Sequence, residues 1–239
     1  PVISNEDSLT FSRYGGKFSD VHDWRRNNIN DLMARIYDIV KAVKPHVKFG
    51  ISPFGIVQNH YAGTNGLDSY SVLYCDPLTW LADKTIDYIN PQLYWEIGHA
   101  RADYAKLLPW WAEISKERHL YIGKFSSRFA ARNYQGEKTI LGDQLRMNRN
   151  TDNVHGHVYF SAKSISQNYS GLLDSMKNNW FKYPALPPVM EWKDNLPPNP
   201  VADFVVREDS AGALLTWKAP FPAGDGETAS YYIIYRFNE

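Results

Sequence analysis

The side chains best equipped for chemistry are Gln92, Tyr94, Trp95 and Glu96, at the end of the run Asp87-Tyr88-Ile89-Asn90-Pro91-Gln92-Leu93-Tyr94-Trp95. An amide and a phenol can bind hydroxyls, an indole face can stack on a sugar ring, and a carboxylate can give or take a proton. On an extended strand Gln92, Tyr94 and Glu96 share one face by two-residue alternation, so all three can line one subsite with Trp95 as a stacking plane beside it. Glu96 is the sole acid at a predicted strand end. The strand before it stops at Ser52-Pro53, and the two after it stop at Lys124 and at Ser161, with Lys163 just beyond. A buried strand that ends in Ser, Pro, Gln, Tyr and Trp delivers polar and aromatic groups to a binding face. Glu96 is therefore the catalytic candidate, against the plainer alternative of a solvated acid opening the loop Glu96-Ile97-Gly98-His99. Ser52, Asn59, Lys124 and Lys163 join Gln92, Tyr94 and Trp95 as substrate-binding candidates, the two lysines because a charge in such a mouth usually meets a ligand or a carboxylate.

Other polar residues read differently. Asp87 opens its strand, at the end of a sheet where charges serve stability. Arg25 and Arg26 fall in a first helical turn, where one of two adjacent arginines commonly just covers a surface. His60 shares the loop of Asn59, where hydroxyl binding and simple solvation are both open. His155 and His157 have a spacing that can hold a metal, but no third ligand is apparent, so neither a metal nor a cofactor is expected. The single cysteine, Cys75, excludes an internal disulfide and a cysteine-based zinc site, and with no base nearby it suits packing better than nucleophilic chemistry.

Twenty-six Lys+Arg balance 26 Asp+Glu without a basic run, so nucleic acid is not an expected partner. Eight Trp and sixteen Tyr exceed what a core of this size needs, which points part of them toward a ligand with flat apolar faces and polar edges. Trp110, Trp111 and Trp180 lie on helical faces and are expected to pack. No apolar run approaches membrane-spanning length and no signal peptide is present. The chain opens on Pro1 rather than Met, so its natural start is expected elsewhere.

These residues need elements to hold them. Residues 1–23 read as a loop around Gly15-Gly16. Apolar positions Ile29, Leu32, Met33, Ile36, Ile39, Val40 and Val43 predict a helix over Trp24–Val43, capped by Asp23 and ended by Pro45. Strands are predicted at Val47–Ser52, Ile86–Tyr94, His119–Phe125 and Gly156–Ser161. Helices are predicted near Asp76–Asp83, Ala102–Arg118, Lys138–Asn148 and Ile165–Asn179. Four successive βα units without a hairpin signal imply a parallel sheet covered by helices, an α/β class. Pro184, Pro187-Pro188 and Leu196-Pro197-Pro198-Asn199-Pro200 then mark a linker, 184–200, between a domain over 1–183 and a second over 201–239. In that second part Val201–Arg207, Ala213–Trp217 and Tyr231–Arg236 read as strands of an antiparallel sandwich, which normally takes about 100 residues.

In this order, Phe49–Ile56 (FGISPFGI), DPLTWLADKTIDYINPQLYW, the DYAKLLPWW helix and HLYIGKF resemble the C-terminal half of the bacterial glycosyl-hydrolase-like family 10, over about Asp23 to Trp180. DWRRNNIN fits that family's helix after its fourth strand. The residues past the linker resemble the first three strands of a fibronectin type III module, with Trp217 as its core tryptophan and Tyr232 and Tyr235 on the next strand. The resemblance implies a (β/α) barrel-type parallel sheet, present as its C-terminal half, plus a partial all-β sandwich. A whole barrel needs about 250 residues, so the chain is expected to be a fragment whose first four strands, with an Asp-rich strand end, lie upstream of Pro1. The open edges of such a half-barrel would favour self-association or pairing with the missing half.

The activity implied by the resemblance is glycoside hydrolysis of a polymeric bacterial envelope glycan, such as peptidoglycan strands stripped of their peptides. The protein would be exported to the periplasm, attached to a membrane through an N-terminal lipid anchor outside this chain, or secreted. Hydrolysis takes two carboxyl groups about 5 to 10 Å apart, and Glu96 would supply one, leaving this fragment inactive by itself. A carbohydrate-binding protein without chemistry is the alternative. A third class is a structural or adhesion module in which the fibronectin-like part does the work.

Overall fold

The computed structural model describes residues 6–137, 139–210 and 212–235, and the chain divides into two units, 1–188 and 189–239, at a point inside the Pro-rich stretch. In the first unit four strands form one sheet in chain order: β1 (Gly50–Ile51), β2 (Tyr88–Ile89), β3 (His119–Lys124) and β4 (Val154–Tyr159). Every pairing is parallel. Sequential parallel strands need covering crossovers, and helices supply them: α1 (Ser8–Tyr14) and α2 (Val21–Val43) before β1, then α3 (Asn59–Ala62), α4 (Ser69–Val72) and α5 (Pro77–Ala82) before β2. α6 (Tyr104–Ile114) leads into β3, α7 (Ser126–Phe129) and α8 (Ile140–Arg149) into β4, and α9 (Ala162–Ser166) and α10 (Leu172–Ser175) follow. The strand order is that of half a (β/α) barrel. Among the described residues β1 and β4 each pair on one side only.

β1 and β2 are shorter than their apolar runs because Pro53 and Pro91 offer no N–H to the ladder. Pairing resumes beyond them as single bridges, Phe54 to Gln92 and Gln92 to Gly123, with the Gln92 N–H donating to the Pro53 carbonyl at 3.0 Å. Gly55 permits this closeness, since a Cβ there would stand 2.4 Å from the Gln92 carbonyl oxygen. The core lies between sheet and helices. Ile89, Leu93, Leu120 and Ile122 meet Leu107, Leu108 and Trp111 of α6, all essentially inaccessible to water, and the Trp111 indole N–H donates to the Gly55 carbonyl at 2.9 Å.

Several element ends differ from the sequence pattern for local reasons. α2 starts at Val21 because Asp20, not Asp23, caps it, accepting from the His22 N–H at 2.8 Å. Asp23 instead pairs with Arg26 one turn on. The predicted N-terminal loop contains α1, held by Phe11 on Trp24 and by Asp7 on Arg25, tertiary contacts that periodicity over seven residues cannot reveal. Residues 1–5 of that loop lie outside the described residues, as does Lys138 at the start of the helix predicted before β4. The single helix predicted over Ile165–Asn179 breaks where Asn168, Ser170 and Gly171 take left-handed backbone angles. There the Asn168 side chain accepts from the Leu173 N–H at 2.9 Å and starts a new turn.

The second unit holds an antiparallel hairpin, β5 (Ala202–Asp209) with β6 (Gly212–Lys218). The third strand expected at Tyr231–Arg236 is not formed by residues 231–235, and Arg236 lies outside the described residues. Trp217 packs edge-on against Tyr232 at 5.1 Å.

Candidate active site

The C-terminal ends of the four strands gather the candidate residues, and pairing distributes them across the mouth. Gln92 turns toward β1, its amide donating to the Ser52 carbonyl at 3.0 Å, while the Ser52 hydroxyl accepts from Asn90 at 3.3 Å. Tyr94 turns the other way and stacks on Phe125 at 4.9 Å, with Phe160 6.1 Å from it. Glu96 reaches further, to the segment after β3, where its Oε1 accepts from the Tyr134 hydroxyl at 2.7 Å. The shared face expected of Gln92, Tyr94 and Glu96 therefore does not persist. Strand pairing stops at Gln92 and the chain bends at Trp95, so the three serve adjacent parts of one rim.

The loop that carries Glu96 is tied from behind. Gln144 of α8, fully buried, donates to the Trp95 carbonyl at 2.8 Å. The Tyr104 N–H donates to the Glu96 carbonyl at 3.3 Å. Asp103 caps α6 through the Ala105 N–H and holds the Gly98 N–H at 2.7 Å with the same oxygen. These bonds hold the Glu96 backbone in place from both sides.

Glu96 opens into a cleft of about 640 Å³ lined also by Ser127, Arg128, Asn133, Tyr134 and Gln135, a size that fits a sugar or two. Burial, followed by the hydrogen bond to Glu96, pushes the Tyr134 phenol up to about 12. It thus stays protonated at working pH and donates to the carboxylate throughout. An aromatic run leads from this cleft to the strand ends: Tyr134 to Phe129 at 5.3 Å, Phe129 to Phe125 at 6.3 Å, then Tyr94 and Phe160. Phe160 is 54 % exposed, so the run ends in an open shelf. β4 is fastened to α7 there, with the Ser127 N–H on the Phe160 carbonyl and the Ser127 and Ser161 hydroxyls 3.1 Å apart.

Three candidates lie elsewhere than the sequence suggested. Lys124 is fully buried on the helix side, because alternation along β3 sends it the same way as Leu120 and Ile122. Its ammonium group faces the Tyr104 hydroxyl at 3.1 Å, and burial pushes the amine well below the usual lysine range. Tyr104 in turn donates to Asn148, whose amide meets His157 Nδ1 at 3.0 Å. Burial, with the Lys124 and Arg149 cations beyond, pushes that imidazole down to about 3. Asn59 pins its own loop, its Oδ1 accepting from Thr64 and the Gly66 N–H and its amide donating to the Gly66 carbonyl, which commits most of its bonding capacity. The Trp95 ring packs edge-on to Phe54 at 5.5 Å against the core, and the open aromatic shelf is made by Tyr94, Phe125 and Phe160 instead. Lys163 is exposed on α9, just after Ser161.

The remaining residues fall into supporting roles. Asp87, with no exposed surface, pairs with Lys41 and accepts from the Phe49 N–H. His155 accepts from the Leu120 N–H beside an irregularity in β3. Burial pushes the Cys75 thiol up to about 11, which leaves it a poor nucleophile. Among the described residues Asp194, Asp225 and Glu227 of the second unit bring carboxylate oxygens within 4.8 Å of one another, but all are exposed, so we assign no metal to them.

Sequence reasoning missed Tyr134, Arg128, Phe125 and Phe160. The aromatic and polar density of Phe125-Ser126-Ser127-Arg128-Phe129 and Asn133-Tyr134-Gln135 immediately after a strand was the available signal. No helix among the described residues is long and apolar enough to cross a membrane.

The model of the family described as glycosyl hydrolase-like 10 matches residues 3–138. Glycosyl hydrolase YngK of Bacillus subtilis is 40% identical over 244 residues, which cover 96% of this chain and 47% of YngK. Glycosyl hydrolase DigH of Escherichia coli K12 is 39% identical over 124 residues, 49% of this chain and 28% of DigH. The chain thus spans about half the length of the first of these relatives.

Proposed function

This chain belongs to the glycosyl hydrolase-like 10 family, and on that premise we propose that its strand-end mouth binds a bacterial envelope glycan and that Glu96 is one of the two carboxylates that hydrolyse it. The observation that carries the reading is the carboxylate itself, fixed by Tyr134 at one end of an aromatic run in a cleft of sugar size. Sugar C–H faces stack on Tyr94 and Phe160, and Gln92 and Ser52 offer groups for hydroxyls. Glu96 acts on the glycosidic bond as acid, base or nucleophile, and Tyr134 orients it. Peptidoglycan strands freed of peptide are the substrate we infer, which places the protein outside the cytoplasm, in the envelope or secreted.

One observation favours a second reading. Among the described residues Glu96 is the one acid lining the cleft, whereas hydrolysis takes two. Alone, a mouth with one carboxylate holds glycan without cleaving it. Mass-spectrometric analysis of peptide-free strands incubated with the complete polypeptide carrying these residues separates the two. New chain ends support the hydrolase, and intact strands that nonetheless bind support a carbohydrate-binding protein.

Tyr134→Phe keeps the ring but removes the hydroxyl that holds Glu96. Loss of a hydrogen bond to a charged group is worth about tenfold or somewhat more. The expected result is a kcat lowered by about that factor with KM nearly unchanged, read by reducing-end release. An unchanged kcat would remove Tyr134 from the mechanism.

A further inference from the structure

Lys124 is buried where no carboxylate meets it. The side chain is inaccessible to water, makes no ion pair with any described residue, and has the Tyr104 hydroxyl as its hydrogen-bond partner at 3.1 Å. Bond directions are fixed along the chain that follows. The Tyr104 hydroxyl gives its proton to Asn148 Oδ1, so its oxygen accepts from Lys124, and the Asn148 amide lies against His157 Nδ1. Burial pushes the Lys124 amine well below the usual lysine range, which favours its uncharged form as the donor. Both helices reached by this chain hold the loop of Glu96. Tyr104 gives its backbone N–H to the Glu96 carbonyl at 3.3 Å. Asn148 stands one turn beyond Gln144 on the buried face of α8, and Gln144 donates to the Trp95 carbonyl at 2.8 Å. The backbone of Lys124 serves the other side of the mouth, its carbonyl accepting at 2.8 Å from the N–H of Phe160, where the aromatic shelf ends. A site that needed only filling would take Leu or Met at a lower desolvation cost.

We propose that Lys124 is a positioning residue for the reaction assigned to Glu96: its buried amine, acting through the Tyr104 hydroxyl, sets the start of α6 and with it the loop that presents the carboxylate. The proposal rests on the reading of Glu96 as a hydrolytic carboxylate and adds a residue that never touches the glycan. Without the amine the Tyr104 side chain loses its lateral anchor, the first turn of α6 loosens, and the Glu96 carbonyl loosens with it. A reacting group displaced by about 1 Å costs about a hundredfold in rate.

Two variants of the complete polypeptide test this. Lys124→Met fills the same space without the amine, and Tyr104→Phe keeps the amine but removes its acceptor. Each is followed by thermal midpoint, by kcat and KM for reducing-end release from peptide-free peptidoglycan strands, and by hydrogen exchange over residues 96–104 read by mass spectrometry. Lys124→Met is expected to keep or raise the midpoint, because an apolar chain replaces a desolvated amine. Its kcat is expected to fall about tenfold to a hundredfold with KM changed no more than about threefold, and exchange over 96–104 to quicken about tenfold. Tyr104→Phe is expected to lose a similar factor in kcat, and the double variant no more than either, since both remove one link. A lowered midpoint with kcat and exchange unchanged would make Lys124 a packing residue and overturn the proposal, as would losses that add in the double variant. Should Lys124→Met fail to fold, the same readouts on Tyr104→Phe decide, unchanged kcat and exchange again overturning it. Failure of the hydrolase reading shows differently: the unaltered protein cuts no strands, while exchange over 96–104 still quickens in Lys124→Met.

Discussion

In the complete polypeptide Glu96→Gln is expected to lower the rate of glycan cleavage by about a thousandfold while changing glycan binding by no more than a few-fold. The substitution is nearly isosteric and keeps an acceptor oxygen for Tyr134, so the loop held by Gln144, Tyr104 and Asp103 stays in place. What is lost is the capacity to exchange a proton with the leaving oxygen or a water, or to attack the sugar carbon, and proton transfer alone contributes about 10² to 10⁴ in rate. Binding persists because the aromatic shelf of Tyr94, Phe125 and Phe160 and the amide of Gln92 are untouched. Kinetics of reducing-end release with calorimetric binding alongside make the comparison. A variant that cuts at the normal rate would strip Glu96 of any part in the chemistry. One that neither cuts nor binds would make it a structural residue.

Asp87→Ala lowers stability by about 3 to 5 kcal/mol, the usual range when one partner of a buried ion pair is removed. Asp87 sits at the other end of the sheet, where Lys41 from α2 and the Phe49 N–H ahead of β1 both converge on it. The Asp87 N–H meanwhile donates to the Phe49 carbonyl at 2.6 Å, so one residue joins helix, first strand and second strand. Truncation strands a largely buried lysine and an amide together. Denaturant unfolding reads the loss as a lower midpoint at unchanged slope. A change below about 1 kcal/mol would mean that water replaces the carboxylate freely.

How much of this was visible in the sequence depends on the distance over which each feature is encoded. α5 was legible almost to the residue, since Asp76 and Pro77 are an N-cap and a first helical position side by side. The four parallel units followed from spacing, and Glu96 stood out by being alone at a strand end. Asp87 was correctly separated from the mouth because it begins its strand. Tyr134 was not legible as its partner. It follows Glu96 by 38 residues, and only the closure of α7 onto the sheet brings the two together. Lys124 was placed in the mouth because it ends a strand, although parity with Leu120 and Ile122 already assigned it to the helix side. Asn59 and Trp95 were read from their chemistry alone, and each spends that chemistry on its own loop or core. The shortness of β1 and β2 comes from Pro53 and Pro91, which composition marks as turns but which here interrupt strands without ending them.

The central claim is that the Glu96 carboxylate touches the reacting bond, and chemical rescue addresses it most directly. Glu96→Ala in the complete polypeptide leaves a space that azide or formate can enter beside the sugar. Cleavage of peptide-free strands is expected to fall to a trace and to recover as the small anion is added, in proportion to its concentration. With azide, mass spectrometry would reveal a glycosyl azide if the carboxylate is the nucleophile. Undiminished cleavage by Glu96→Ala with no anion present would contradict the account and move the catalytic pair away from this mouth.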